Sequence, residues 1–370
     1  MKKTSLLMKC LLILLLPIGM LLNYTSSLNS TITERIYSNI SYKWFSQTIS
    51  TVTGVFPFSV AELMLIAFVL FIIWRLVVLC VRFVKGTENR WEIFKKGIIN
   101  GLALAGVIYF SFIIMWGLNY NRMMVSQIFE LDVRPASVKE LAALCEDLIT
   151  RANDLRSRVH EDTKGVMGSP KGLRDVLNRA HKGYDRASQV HAELGGQYGV
   201  PKGIFLSQLM AYTGIAGVYS FYTSEANVNT TTPASLLPTT VCHEMAHQRG
   251  FAREDEANYI AYFTCSMHPD DDFRYSGVFL ALIHSMNALY ENDREAYNTL
   301  RVDYGEGIKR DLRAISEYNA LYEGPVEQNF SKANDLYLKA NNQKDGEMSY
   351  GRVVDLLIAE YRTKQEKPTK

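Results

Sequence analysis

Two histidines separated by three residues are the most chemically specific feature of this chain. They belong to the segment His243-Glu244-Met245-Ala246-His247. On a helix, residues i and i+4 lie one turn apart on the same face, so His243 and His247 can bind the same metal ion. Glu244 is rotated off that face, where its carboxylate can accept a proton from an attacking water molecule. The spacing therefore predicts a helix that carries two zinc ligands and a general base.

A catalytic zinc site needs a third protein ligand and keeps one position open for water. Arg253 stands where the pattern H-E-x-x-H-x-x-G-x-x-H would place a third histidine, so another residue must complete the site. Glu254 and Glu256 are the nearest candidates. We favour Glu254, because a helix places Asn258 on the same face, where it can hold a ligand histidine by a hydrogen bond. Glu256 lies about 200° round the same helix and remains the alternative.

Peptide hydrolysis also needs a hydrogen-bond donor for the oxyanion that forms on the scissile carbonyl. Tyr350 and Arg352 are candidates because they form a polar cluster ahead of a terminal apolar helix. Core packing of Tyr350 and a surface salt bridge of Arg352 are equally compatible with the sequence. Residues 217–222 have the composition of a strand, which predicts either peptide binding by edge addition or an ordinary core strand.

Most of the elements that must position these residues are helices. Pro238 suits the first turn of the motif helix, Gly250 suits its end, and a second helix begins near Arg253. Residues 204–229 combine β-branched, aromatic and small side chains, which predicts a strand or hairpin. Apolar periodicity predicts further helices at residues 137–158, 171–194, 273–291, 293–302, 306–322, 331–341 and 349–363.

Three apolar runs occupy the first third of the chain, and we expect membrane spans at about residues 5–23, 59–81 and 97–118. The second and third runs are long enough to cross a bilayer and carry few charges or none. The first run is short and resembles the apolar part of a signal peptide. We favour a retained helix, because no clear cleavage site follows it.

The charged residues between these runs predict the orientation of the chain. The segment between the first two runs carries only Arg35 and Lys43. The segment between the second and third carries Arg82, Lys85, Arg90, Lys95 and Lys96. By the positive-inside rule the N-terminus and the second segment lie in the cytoplasm, so the chain after residue 120 lies outside. We therefore expect a multi-pass protein of the cytoplasmic membrane.

The overall composition limits the classes of molecule that the chain is expected to bind. The net charge is +2, without the basic excess that would indicate nucleic acid, so we expect no nucleic-acid partner. The five cysteines do not form the spacing pattern of a disulfide framework. The expected partners are a peptide or protein substrate and the lipid bilayer.

The run from Glu254 to Asn258 resembles the third-ligand element of gluzincin-type zinc metallopeptidases, E-x-x-x-D or E-x-x-A-[DN]. This resemblance implies that Glu254 is the third ligand. The chain departs from that group in one respect, since only six residues separate His247 from Glu254, which is closer to the spacing of metzincin-like sites.

The chain as a whole resembles the DUF3810 family of bacterial membrane proteins. The resemblance covers most of the chain and implies a membrane-tethered metallopeptidase without an established substrate. It lies in the three apolar runs and in the segments Trp116–Arg122, His243–Asn258 and Ser349–Arg352.

These features predict a mainly α protein, with three transmembrane helices followed by a mostly helical, zincin-like domain with a small β element. We expect residues 1–122 to form the membrane domain and residues 123–370 an extracytoplasmic zinc metallopeptidase-like domain with one Zn²⁺ per chain. The alternative is a non-catalytic, zinc-stabilised, membrane-tethered binding or sensor module. Glu244 argues against it, because a purely structural site has no use for a general base. An intramembrane protease ranks last, because polar residues flank the motif.

Overall fold

The computed structural model describes residues 3–86, 89–341 and 352–366, and these residues fold mainly as helices with one small sheet, as predicted. The first third of the chain contains five α-helices, a π-helical segment and a short 3₁₀ turn. In chain order they are α1 (Lys3–Ser27), α2 (Ser30–Ile32), the π-helix Thr33–Tyr42, α3 (Lys43–Gly54), α4 (Val60–Lys85), α5 (Arg90–Met115) and the 3₁₀ turn Gly117–Asn121.

The middle of the chain alternates short helices with three short strands. These elements are α6 (Val125–Ile128), α7 (Val138–Arg156), α8 (Gly172–Arg179), α9 (His181–Ala187), a 3₁₀ turn Ala192–Leu194, β1 (Lys202–Gly203), α10 (Ser207–Ala211), β2 (Gly217–Ser220) and β3 (Glu225–Val228). The single helix expected at residues 171–194 is wrong, because the chain bends at Ala180 between α8 and α9 and ends in the 3₁₀ turn.

In the last third of the described chain, every regular element is a helix. Its helices are α11 (Leu237–Gln248), α12 (Glu254–Ser266), α13 (Asp271–Asn292), α14 (Arg294–Arg301), α15 (Glu306–Tyr322), α16 (Pro325–Ala340) and α17 (Val353–Glu366). Pro238 lies in the first turn of α11, as predicted. The helix expected at 331–341 begins earlier, with Pro325 in its first turn.

The sheet has the strand order β1-β3-β2, so β2 forms one of its edges. β1 pairs with β3 in parallel, and β2 pairs with β3 antiparallel as a hairpin, with Gly217 opposite Val228 and Ser220 opposite Glu225. Both β2 and β3 pack against α11. The predicted strand or hairpin within residues 204–229 is therefore present, and it lies directly over the motif helix.

One hydrophobic core joins α11 to the surrounding helices α7, α12, α13 and α17. Each of these helices contributes apolar side chains that are almost fully buried, for example Leu148, Val241, Ile260, Phe279 and Leu357. Burying a side chain of this size contributes about 1.5–3 kcal/mol. The core holds α11 and α12 in a fixed relation, which decides where the motif residues point.

Three N-terminal helices are long and apolar enough to cross a membrane, as the sequence predicts: Leu6–Ser27 within α1, α4 and α5. α1 packs along α5, and most of the apolar side chains of α4 are exposed. α5 ends at Met115 rather than near residue 118, because Trp116 leaves the helical conformation at φ −151° and the 3₁₀ turn follows.

The end of α1, the start of α4 and the end of α5 all lie at the side of the protein that carries the sheet and α11. Asn121, just after α5, donates a hydrogen bond to the side chain of Asn23 near the end of α1, at 2.8 Å. The backbone N–H of Ala61 in the first turn of α4 donates to Glu225 of β3 at 2.7 Å. The basic residues Arg82, Lys85, Arg90, Lys95 and Lys96 lie at the opposite ends of α4 and α5.

The segment between α1 and α4 packs onto the later part of the chain. Tyr42 is fully buried, and its hydroxyl is hydrogen-bonded to that of Tyr219 in β2 at 2.8 Å. Gln248 at the end of α11 donates to the hydroxyl of Ser50 in α3 at 2.8 Å. The expected boundary at residue 122 thus separates two parts that share buried polar contacts beside the motif.

Candidate metal centre

A left-handed turn at the end of α11 fixes one of the two motif histidines. Gly250 has φ +86°, which glycine adopts at no steric cost, and a Cβ atom there would lie 2.9 Å from the ring of Tyr42. The turn brings Phe251 back over the end of the helix. The carbonyl oxygen of Phe251 consequently lies 2.7 Å from Nδ1 of His247.

His243, His247 and Glu254 bring three metal-binding groups to one point. The Nε2 atoms of the two imidazoles are 3.0 Å apart, and the rings are nearly perpendicular, at 85°. The carboxylate of Glu254, at the start of α12, lies 3.1 Å from Nε2 of His243 and 3.6 Å from Nε2 of His247. Ligand atoms around a tetrahedral zinc ion lie roughly 3.3 Å apart, given bond lengths of about 2.0–2.1 Å. The three groups therefore have the spacing of a zinc ligand set.

Each imidazole is oriented by a hydrogen bond at its other nitrogen. Nδ1 of His243 lies 2.9 Å from Oδ1 of Asn258, one helical turn beyond Glu254, and Nδ1 of His247 faces the carbonyl oxygen of Phe251. Both partners are acceptors, so in the neutral ring Nδ1 carries the proton. This leaves the lone pairs of both Nε2 atoms directed toward Glu254, the tautomer that metal binding requires.

The electrostatics of the cluster favour positive charge beside Glu254. Burial alone would raise the pKa of Glu254, but the imidazoles of His247 and His243 hold it well below its ordinary value. Burial opposes protonation of His247, but the carboxylate of Glu254 outweighs it and raises the pKa of His247 to about 9. The position between these atoms thus stabilises a cation, as a metal site must.

Glu244 lies off the ligand face of α11 and is buried against β2. A Cβ atom at Gly217 would lie 2.7 Å from Cγ of Glu244, so only glycine lets the strand approach this closely. Oε2 of Glu244 is buried and has no hydrogen-bond partner within the described residues. Burial raises the pKa of Glu244 to about 7; the two imidazoles oppose the rise and Glu254 adds to it. A buried carboxylate with a free oxygen is suited to bind and deprotonate water.

A cleft of about 850 Å³ opens over the three ligand candidates and Glu244. Its walls come from β2, α11, α16 and the residues that follow α5. Among the side chains that line it are Trp116, Tyr120, Val218, Leu280, Phe330 and Tyr337. The cleft is large enough for several residues of an extended peptide.

Two tyrosines stand on the cleft wall near Glu254. Tyr120 donates a hydrogen bond to the hydroxyl of Tyr337 at 3.0 Å, which leaves the proton of Tyr337 free to be donated elsewhere. Burial chiefly raises the pKa of both tyrosines, and the negative charge of Glu254 raises it further. Both hydroxyls therefore stay protonated and can act as hydrogen-bond donors at neutral pH.

Glu256 and Arg352, two further residues suggested by the sequence, do not join the centre. Glu256 is buried on the other side of α12, where it accepts hydrogen bonds at 2.9 Å from the backbone N–H of Val125 and from Arg253. Arg352 is exposed just before α17 and is not among the residues that line the cleft. Tyr350 lies outside the described residues.

Several residues around the centre had no sequence signal that linked them to it. Tyr337 and Tyr120 approach the motif from elements far from it in sequence. Tyr42 contacts the carbonyl oxygen of His247 at 3.2 Å from the segment between α1 and α4. Gly217 did carry a usable signal, because a glycine inside a strand pattern often marks a close approach of another group.

Comparison with known proteins places the chain in one family. The model of a family described as "Protein of unknown function (DUF3810)" matches residues 37–358, which include most of the segment between α1 and α4 and all of the candidate centre. No curated protein and no solved structure matches.

Proposed function

The chain belongs to the DUF3810 family, and we propose that it is a membrane-anchored zinc metallopeptidase whose site lies outside the cytoplasmic membrane. The observation that carries the proposal is the convergence of His243, His247 and Glu254 beside Glu244. A structural zinc site has four protein ligands and no free base. Here three ligand candidates face a cleft, and the buried oxygen of Glu244 has no partner within the described residues.

The residues present fit a zinc ion, which His243, His247 and Glu254 would hold. When bound, zinc supplies a Lewis acid that acidifies water and polarises a carbonyl group. Glu244 accepts the proton of the attacking water and passes it to the leaving amine. Burial raises the pKa of Glu244, which makes its carboxylate a better proton acceptor than that of an exposed glutamate.

We assign the donor for the oxyanion to Tyr337. Its hydroxyl accepts a hydrogen bond from Tyr120 and lines the cleft near Glu254, so its own proton is available to the substrate carbonyl. Donors of this kind act on charge that develops in the transition state. Of the two residues that the sequence suggested for this role, Arg352 does not line the cleft and Tyr350 lies outside the described residues.

The open edge of β2 is suited to hold the substrate in an extended conformation. The N–H of Asn229 donates to the carbonyl of Ala216 at 2.8 Å, and the hydrogen-bonded pairs of an antiparallel ladder alternate. Gly217 and Tyr219 therefore direct their N–H and C=O groups away from β3. A peptide that pairs with this edge lies over Glu244, which contacts Gly217.

The proposed location follows from charge and helix direction. The end of α1, the start of α4 and the end of α5 face the site, whereas Arg82, Lys85, Arg90, Lys95 and Lys96 lie at the other ends of α4 and α5. If these helices cross the membrane, the positive-inside rule places the N-terminus in the cytoplasm and the site outside.

The test uses the full-length protein in detergent, because the segment before α4 contacts the motif. We expect one zinc per chain and hydrolysis of a peptide library that a chelator abolishes and added zinc restores. In metal analysis, Glu254→Gln should lose zinc. The matched control Glu256→Gln should retain it, because its amide oxygen can still accept from Val125.

Two results would contradict the proposal. A zinc-loaded protein that cuts no member of the library would favour the non-catalytic binding or sensor module. Loss of zinc from Glu256→Gln but not from Glu254→Gln would show that the ligand assignment is wrong.

A further inference from the structure

We propose that the substrates are membrane-anchored proteins, cut a few residues outside the bilayer. The proposal rests on the proposed peptidase function and specifies its substrate class. It is carried by the position of the metal centre next to α5, by the direction of β2, and by the apolar surface around the start of α4.

The candidate metal centre lies directly against the end of an apolar helix. Trp116 is the first residue after α5, and its ring centroid lies 5.9 Å from that of His247. The ring of Tyr219 in β2 lies 4.9 Å from Trp116 on the same side. No other layer of protein separates His247 from the end of α5 at this contact.

Strand β2 leads from the catalytic glutamate to α5. Gly217, at its start, contacts Glu244, and Phe221, just after its end, lies 5.5 Å from the ring of Phe112. Phe112 lies three residues before the end of α5, which is about 5 Å along the helix axis. The four residues of β2 span about 13 Å at about 3.3 Å per residue.

The hairpin turn after β2 also touches the start of α4. Tyr222 forms a hydrogen bond with the hydroxyl of Ser111 in α5 at 2.8 Å. Glu225, at the first position of β3, accepts the backbone N–H of Ala61 in the first turn of α4. The turn therefore lies at the level where both apolar helices meet the outer domain.

Exposed apolar side chains surround this level. Phe205 is 91% exposed, and its backbone N–H donates to Glu62 in the first turn of α4 at 2.9 Å. Val55 is 80% exposed, and Phe58 just before α4 is also exposed. Aromatic and apolar residues at the ends of spanning helices are typical of the interface between lipid and water. This places the bilayer surface at the hairpin turn.

A peptide on the open edge of β2 would consequently reach the membrane after a short distance. With its scissile bond opposite Gly217, it passes the hairpin turn about four residues away from that bond. Antiparallel pairing is the more stable arrangement, and it directs the N-terminal side of the peptide toward the membrane. The matching substrate is a protein whose outer segment follows its membrane span.

The experiment measures cleavage against distance from the membrane. The full-length protein is reconstituted into phosphatidylcholine vesicles with single-span reporters, each carrying a sequence already cut in the library assay. The reporters place that sequence after the span, behind polar spacers of about 2, 4, 8, 16 and 30 residues. The same sequence as a free peptide is the reference.

We expect the rate to peak at spacers of about four to eight residues and to fall about tenfold or more at about 30 residues, as the effective concentration of the tethered site declines. The free peptide should be cut at least about tenfold more slowly than the best reporter. Two results would contradict the proposed substrate class without contradicting the peptidase function. One is an equal rate at all spacers, which confinement of both proteins to one membrane would give by itself. The other is a free peptide that is cut as fast as the best reporter. Failure to cut any library peptide is the separate result that refutes the peptidase itself.

Discussion

Two buried polar clusters of this protein differ in whether their hydrogen-bonding groups are satisfied. The first is the candidate centre, where Oε2 of Glu244 is buried without a partner in the described chain. The second surrounds Asp311, which is fully buried on α15. Its two oxygens accept hydrogen bonds from Arg156 at 2.7 and 3.2 Å, from the backbone of Met167 at 2.8 Å and from Tyr275 at 2.7 Å.

The difference separates groups that hold the fold from groups available for chemistry. A buried charge with all its partners is costly to disturb, because removal of one partner leaves the other uncompensated. A buried acceptor with no partner costs stability in the folded state, and such groups collect where a ligand or reaction supplies the partner. Loss of a partner in the Asp311 cluster should therefore destabilise the fold, and the Glu244 cluster is the one of the two where a substrate or water can bind.

The largest effect is expected from a change in the cluster around Glu244, where a buried oxygen has no hydrogen-bond partner within the described residues. Glu244→Gln removes the base but keeps the shape of the side chain, so we expect peptide hydrolysis to fall by about 10⁴-fold. Zinc content should stay the same, and thermal stability should stay the same or rise, because no paired charge is lost. Activity assays, metal analysis and thermal unfolding of the full-length protein measure the three quantities. Activity that survives the change would remove Glu244 from the mechanism.

The opposite pattern is expected in the satisfied cluster. Asp311→Ala leaves Arg156 buried without its main partner, which should lower the free energy of unfolding by about 3–5 kcal/mol. Activity per zinc-loaded, folded molecule should not change. The matched control is Asp154→Ala, which removes an exposed pair with Arg158 and should cost less than about 1 kcal/mol. Equal effects of the two variants would contradict the contrast between the clusters.

A third prediction concerns the donor on the cleft wall. Tyr337→Phe removes the hydroxyl assigned to the oxyanion, so we expect kcat to fall by about 10²–10³-fold with KM little changed. Tyr120→Phe removes the hydroxyl that donates to Tyr337 and is the matched control, with a loss below about tenfold. Steady-state kinetics on one library substrate distinguish them. A larger loss in Tyr120→Phe would assign the donor to Tyr120 instead.

The sequence predicts the parts of the site that depend on local geometry. The one-turn spacing of His243 and His247 follows from the helical period, and so does the shared face of Glu254 and Asn258 on α12. The end of α11 at Gly250 follows from the preference of glycine for positive φ. Each of these depends on residues a few positions apart in the chain.

The parts that the sequence does not predict depend on long-range packing. Tyr120 and Tyr337 meet only because α16 folds back over the end of α5, and no local pattern encodes that contact. The contact between Tyr42 and the carbonyl oxygen of His247 joins residues 205 positions apart, so no local pattern predicts that this segment packs against α11. Arg352 was suggested for its position ahead of an apolar helix, but it does not line the cleft. Residue type alone does not indicate which of these side chains reach the cleft.

The smallest effect is expected from a change of Asn258. This side chain is hydrogen-bonded, like those around Asp311, but it belongs to the candidate metal centre. Its amide oxygen faces Nδ1 of His243 at 2.9 Å and fixes which nitrogen is free for the metal. Asn258→Ala should therefore weaken zinc binding by about 10–100-fold, as loss of such partners does elsewhere, with little change in kcat at saturating zinc. Asn258→Asp keeps an acceptor at the same place and should restore affinity, which zinc titration against a competing chelator measures. If the aspartate variant binds zinc as weakly as the alanine variant, Asn258 acts through packing and not by orienting His243.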